Sequence, residues 1–179
     1  DIRLIYWAGG NPFHHHQDLN RLCRAWRKPD TVIVNEPWWT PVAQWADIVF
    51  PATTQLERED ICASSHDPYA HVMEAAIPPQ HNARSDHEIF KGLADKLGFF
   101  DRFTEGKNDR EWLADMWQRS QSAAAKQGFE LPGFDEFWLN KQHRIPDPGP
   151  RSTWLGSFRD DPVKNKLRTP SGKLELFSE

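Results

Sequence analysis

Residues 2–35 read IRLIYWAGGNPFHHHQDLNRLCRAWRKPDTVIVN, and this stretch decides the fold. Ile2 to Ala8 is apolar apart from Arg3 and stops at Gly9-Gly10, the pattern of a buried strand that ends in a turn. Between Gln17 and Arg27, Leu19, Leu22, Cys23 and Trp26 recur at helical spacing and make one apolar face. Lys28-Pro29-Asp30 stops that helix, and Thr31 to Asn35 is rich enough in β-branched residues to be a second strand. Strand, helix, strand is one βαβ unit, so the two strands are expected to lie parallel.

The pattern continues downstream. Ile48-Val49-Phe50 is a third short apolar run ending at Pro51, preceded from Thr40 to Ala46 by one or two helical turns. Ser85 precedes Glu88 by three residues ahead of Ile89, Phe90, Leu93, Ala94 and Leu97, with Gly98 placed to end the helix. Asp109 to Lys126 carries Trp112, Leu113, Met116 and Trp117 at helical spacing, capped by Asn108 or Asp109 and ended by Gly128, and Phe134 to Asn140 adds a short helix. From His143 to Pro170 there are five prolines and almost no periodicity. The expected fold is α/β, three-layer and Rossmann-like: a short parallel sheet flanked by helices, with a helical and irregular C-terminal extension. The expected division is residues 1–100 as the Rossmann-like α/β part, 101–140 as the helical extension and 141–179 as an irregular proline-rich segment.

Composition narrows the function. The 179 residues carry 22 Lys plus Arg against 26 Asp plus Glu, a net charge of −4, and the pI near 6.1 comes with no Lys/Arg stripe, so the footprint of a phosphate-backbone binder is missing. Mean hydropathy is −0.75 and no run approaches the ~20 apolar residues of a membrane span. No basic-then-apolar leader is visible at Asp1 to Tyr6. Two cysteines, Cys23 and Cys62, with no CxxC pair, are too few for a disulfide scaffold or a zinc module.

Candidate chemistry sits where strands end. Ala8-Gly9-Gly10-Asn11-Pro12 closes the first strand at its carboxyl edge, where open α/β sheets bind ligands, although the same residues also suit a plain tight turn and do not spell GxGxxG. His14-His15-His16 are adjacent residues that point apart on any regular backbone, so hydrogen bonding to a phosphate or carbonyl suits them better than metal chelation. Asn35 and Glu36 occupy the equivalent edge one unit later, as ribose contacts or as simple caps. The polar run Thr53 to Asp60 is a solvated loop or a place where a carboxylate accepts N1–H and N2–H of guanine. No nucleophile elbow, HExxH or Walker loop is present, and no residue is assigned a catalytic or metal-ligating role.

The segments AGGNPFHHHQDLNRL, NEPWWTPVAQWADIVFPATTQLERED, ARSDHEIFKGLADKLG and TPSGKLELFSE, in that order, resemble the molybdopterin oxidoreductases of the dimethyl sulfoxide, trimethylamine N-oxide and biotin sulfoxide reductase branch. The resemblance runs nearly end to end and is loose only from Asp101 to Asp161. It implies a cofactor-binding fragment of a molybdenum-dependent S-oxide or N-oxide reductase. The intact enzyme then carries bis(molybdopterin guanine dinucleotide) molybdenum, held among several domains and by an upstream Ser, and transfers an oxygen atom. The isolated chain is expected to be inactive and, supplying only one side of the site, to bind cofactor weakly or not at all. By resemblance Asn11, His15 and Gln17 contact one guanine dinucleotide, Asn35 meets the guanosine, and Asp60 reads guanine from an ERND-type motif in which this sequence has Glu59 in place of Asn. Trp38-Trp39-Thr40-Pro41 and Ala46-Asp47 are scaffold.

The implied partners are further domains of the same polypeptide and a small S-oxide or N-oxide, with no nucleic acid and no membrane span. The compartment, periplasmic or cytoplasmic, is left open. The alternative is a non-catalytic nucleotide-binding or protein-interaction α/β module. Lys173 to Phe177 reads as a strand cut short, and Trp138, Trp154 and Phe158 as aromatics left exposed. From this, self-association of the fragment is expected.

Overall fold

The computed structural model describes residues 2–64, 67–146 and 153–177. Asp1–Ile145 form one compact unit and Pro146–Glu179 a second.

In the first unit, β1 (Leu4–Ala8), β2 (Thr31–Glu36) and β3 (Ile48–Pro51) form a parallel sheet in the order β1-β2-β3. Ile5 stands beside Val32 and Trp7 beside Val34, while Val34 pairs with Val49. The strand expected from Ile2 begins only at Leu4, because Ile2 and Arg3 lie before the paired register. Asp47 sets the start of β2: its carboxylate accepts the Val32 N–H at 2.8 Å, and its own N–H donates to the Val32 carbonyl.

Alternation along the strands builds the layers. Ile5 and Trp7 join Val32 and Val34 in a cluster with Phe13 of α1 (Pro12–His15), Trp26 of α2 (Leu19–Trp26) and Val42 of α3 (Pro41–Gln44). Tyr6, between them, points to the other face and meets Phe90 of α4 (Asp86–Lys96) at 5.3 Å between ring centroids. Helices therefore cover both faces of the sheet, as the βα pattern predicts. α4 starts at the Ser85/Glu88 capping box, and Gly98 follows it at φ 78°, which a side chain rarely tolerates.

The rest of the unit holds a second sheet that the polar, short-run sequence conceals. β4 (Asp60–Ala63), β5 (Tyr69–Met73) and β6 (Gln142–Arg144) pair antiparallel in that order. Asp60, read as the end of a solvated loop, opens β4 behind a 3₁₀ turn at Gln55–Glu57. After α5 (Phe100–Thr104), α6 (Asp109–Lys126) and α7 (Phe134–Asn140) pack on this sheet. There Trp117 and Phe137 stack with centroids 3.7 Å apart beside Ala70, Ile61 and Val72. Trp138 corrects an expectation: it is buried at 7% exposure, under the Arg110 guanidinium 4.3 Å from its ring.

Within the second unit, α8 (Gly156–Asp160) is the element formed among the described residues. Lys173 to Phe177, read as a strand, takes no strand pairing; Leu176 and Phe177 are exposed. Trp154 is exposed as expected, while Phe158 is half-buried. The proline-rich stretch also includes residues 147–152, which lie outside the described residues. Among the described residues no helix is long and apolar enough to cross a membrane.

Candidate functional site

A cavity of about 320 Å³ opens at the carboxyl edge of β1-β2-β3. Three strand ends build it. β1 delivers Gly9 and Gly10, both at positive φ (85° and 72°), so the chain turns sharply and leaves bare backbone facing the space; a Cβ there meets no atom within 4 Å, and it is backbone conformation, not crowding, that asks for glycine. β2 delivers Asn35 and Glu36, followed by Pro37 and Trp38. β3 leads into Ala52, Thr53, Thr54 and Gln55. Arg58 and Asp86 complete the lining.

Asn35 is the fixed point of this cavity. It is 4% exposed; its Oδ1 accepts from the Tyr6 hydroxyl at 2.9 Å and its Nδ2 donates to Asp86 Oδ1 at 2.8 Å. The carboxamide is thereby locked in one orientation by groups 29 residues upstream and 51 downstream. Burial raises the Tyr6 phenol above its ordinary range; the bond to Asn35 opposes this and the Asp86 charge adds to it. Tyr6 is therefore a protonated donor at neutral pH. Thr53, buried in the lining, holds a hydroxyl with no hydrogen-bond partner among the described residues, and so does the Nδ2 of buried Asn11.

Glu57 fixes the third wall from behind. Its Oε2 accepts from the Thr54 N–H at 2.6 Å and the Thr54 hydroxyl at 2.8 Å, and its Oε1 accepts from the Gln80 N–H at 2.7 Å. The bonds from Thr54, backbone first, and then from Gln80 hold its carboxyl below the usual glutamate range, with burial opposing. A lowered folded value stabilises above the ordinary glutamate pKa, and that contribution is lost as pH falls through the folded value. Glu57→Gln is expected to be less stable than wild type at neutral pH and to lose less stability on acidification to about pH 3, measured by urea unfolding at both pH values. Parallel losses in the two proteins would contradict this.

The residues singled out from sequence fall in three places. Asn35 lines the cavity. Asn11 sits just beneath the Gly9-Gly10 turn, where its Oδ1 caps α1 by accepting the Phe13 N–H at 3.1 Å. His15, on α1, and Gln17, in the loop after it, are exposed and are not among the lining residues. Among the described residues no group of three His, Cys, Asp or Glu is placed to hold a metal, the three histidines included. Asp60 faces a second cavity of about 420 Å³, floored by Trp112, Leu113 and Met116. Its Oδ2 pairs with Arg58 Nη1 and its Oδ1 accepts the Ile61 N–H at 2.8 Å. Arg58 and Asp86 line both cavities.

Sequence reasoning missed Asp86 and Tyr6, and took Thr53 and Arg58 only as members of the polar run Thr53 to Asp60. The Ser85/Glu88 box did place Asp86 in the first turn of a helix; what it did not disclose is that the Ala52–Arg84 bridge draws that helix start against the sheet edge.

The fold and this crevice define a class: an α/β segment with bare backbone, an oriented carboxamide and an unpartnered hydroxyl at a parallel sheet's carboxyl edge. The molybdopterin oxidoreductase family model matches residues 1–96, the part that builds the crevice, and the chain belongs to that family. It is 46% identical over its whole length to a trimethylamine-N-oxide reductase of Haemophilus influenzae, covering 22% of that protein. It is 45% identical over 99% of its length to a biotin sulfoxide reductase of Cereibacter sphaeroides, covering 24% of it. A dimethyl sulfoxide/trimethylamine N-oxide reductase of Rhodobacter capsulatus is 41% identical over the whole chain, which covers 22% of it. The chain thus spans about a quarter or less of the length of these relatives. Acetylene hydratase from Pelobacter acetylenicus shares the fold over 98% of the chain and 22% of its own, at TM-score 0.56 and 19% identity. Family membership implies a molybdenum–pterin cofactor.

Proposed function

We propose that this chain seats one nucleotide arm of a bis(molybdopterin guanine dinucleotide) molybdenum cofactor in a reductase of small S-oxides or N-oxides. The observation that carries the reading is the locked Asn35 carboxamide at the mouth of a cavity walled by Gly9, Gly10 and Thr53. The residues fit such a group: the unpartnered Thr53 hydroxyl is a buried donor at the cavity wall in want of an acceptor, and a phosphate or ribose oxygen supplies one. When bound, the cofactor supplies two-electron oxygen-atom transfer.

This chain's residues are positioners. Gly9 and Gly10 admit a diphosphate to the backbone, and Asn35 and Thr53 hydrogen-bond the nucleoside side. His15, at the end of α1, and Gln17, in the loop after it, are the phosphate or pterin contacts by the family resemblance. Asp60 reads guanine, since a carboxylate accepts two parallel bonds from N1–H and N2–H but faces a lone pair at adenine N1. The three reductases, each matched over at least 99% of the chain, favour this reading over a non-catalytic nucleotide-binding or protein-interaction module.

The test is made in the intact parent enzyme. Bonds to a charged group are worth about 1.5–3 kcal/mol each, so Asp60→Ala is expected to lower bound molybdenum and releasable GMP by about tenfold or more. Wild-type molybdenum and GMP content in that variant would remove Asp60 from the site.

A further inference from the structure

Asp60 is occupied. The guanidinium of Arg58 pairs with its Oδ2, and that guanidinium edge presents coplanar N–H donors, the same donor pattern as the N1–H/N2–H edge of guanine. The pair is partly withdrawn from water, with the Arg58 side chain 33% and the Asp60 side chain 28% exposed. Asp60 belongs to the second cavity alone, whereas Arg58 lines both. Arg58 is also the sole basic residue among those lining the first cavity, where Glu36 and Asp86 already place two carboxylates. While Arg58 is held by Asp60, that space repels an anion. Released, Arg58 is the cation at hand.

We propose that Arg58 is a resident stand-in for the base on Asp60 and turns into the phosphate clamp when the base arrives. This rests on the reading of Asp60 as the guanine contact. The guanine edge takes Asp60 Oδ2 and shares Oδ1 with the Ile61 N–H, and the freed guanidinium swings toward the first cavity, where it meets the diphosphate bidentately. No covalent bond is made or broken; the Arg58–Asp60 ion pair is exchanged for an Arg58–phosphate ion pair and a pair of hydrogen bonds from neutral guanine to the Asp60 carboxylate. The backbone at Arg58 need not move, because Glu57 beside it is tied to Thr54 and Gln80. Base and phosphate are thereby coupled. A ligand with only one of them must open the Arg58–Asp60 pair without the compensating contact, and a ligand with both opens it once and fills both sites.

The test is titration of the 179-residue chain with guanosine, inorganic pyrophosphate and guanosine 5′-diphosphate, followed by amide and arginine side-chain NMR at millimolar ligand. Wild type is expected to bind the diphosphate about a hundredfold more tightly than guanosine. In Arg58→Gln, guanosine is expected to bind about tenfold more tightly than to wild type, because its competitor is gone, while the advantage of the diphosphate shrinks to a few-fold. Arg58→Lys keeps the charge without the planar fork, so its diphosphate advantage is expected to fall between those of wild type and Arg58→Gln, and unchanged amide spectra of the ligand-free variants guard against a folding defect. Weaker or unchanged guanosine binding in Arg58→Gln, or an undiminished advantage of the diphosphate, would overturn the proposal. So would absence of binding of every probe to wild type and variants. Asp60→Asn separates the two readings: if it leaves discrimination of guanosine from adenosine intact, Asp60 is not the base contact and the assignment beneath the proposal fails first.

Discussion

Phe137→Ala is expected to lower the stability of the chain by about 3–5 kcal/mol, the range for emptying a fully buried aromatic site. Phe137 is fully buried and lies flat on Trp117, their planes 3° apart, so its removal strips one face of a tryptophan as well as leaving a void. The hole is unable to collapse cheaply. Trp117 is held in place by its Nε1, which donates to the Pro132 carbonyl at 2.9 Å, and Ala70 on the sheet side has no length with which to fill the gap. Against a total of about 5–15 kcal/mol, this puts the variant near the edge of folding and shifts the melting temperature by roughly 10 °C. Thermal unfolding by circular dichroism checks it. A loss under about 1 kcal/mol would mean that the second cluster contributes little to the unit.

Asn35→Leu is expected to damage both fold and site. Leucine keeps the volume but leaves the Tyr6 hydroxyl without its acceptor and Asp86 without its donor, both at the cavity wall. At about 1–3 kcal/mol for each group left unpaired, the loss of stability is about 3 kcal/mol. The loss of guanosine 5′-diphosphate affinity is about a hundredfold, since the variant lacks the oriented amide and frees the Asp86 charge to face the phosphate. Tyr6→Phe, which removes one bond and leaves the Asn35–Asp86 contact in place, is expected to cost about 1 kcal/mol and a few-fold in affinity. Urea unfolding and calorimetric titration measure the two effects. Wild-type affinity in Asn35→Leu would dissociate the crevice from nucleotide binding.

The parallel sheet was legible because its signals are local. β-branched runs, Pro29, the Ser85/Glu88 box and the apolar spacing from Trp112 to Trp117 fix the strands and helices from within a few residues, and the structure places α4, α6 and α7 at the expected residues, with Asn108 settled as the cap of α6. The antiparallel sheet was not legible, because its strands are short, carry Asp60, His71 and Arg144, and find partners across long separations, Tyr69 with Arg144 among them. A three-residue strand such as β6 has no periodicity of its own; it is made by its neighbour.

The site divides the same way. That a crevice would open at the ends of β1 and β2 followed from the Gly9-Gly10 turn and from Asn35. The Tyr6–Asn35–Asp86 chain did not, because it joins residues that tertiary packing alone brings together. Trp138 was misjudged for a related reason: its hydrophobicity was visible, but the Arg110 side chain that covers it lies a full helix away.

The central claim is that the carboxyl edge of β1-β2-β3 seats a guanine nucleotide. Amide chemical-shift mapping of the chain with guanosine 5′-diphosphate, and with adenosine 5′-diphosphate beside it, tests that most directly. The account predicts that the guanine nucleotide moves Gly9, Gly10, Asn35, Thr53, Arg58 and Asp60 together, and that the adenine nucleotide moves the first four while leaving Asp60 nearly still. Shifts confined to residues away from this edge, or equal responses of Asp60 to both bases, would contradict it.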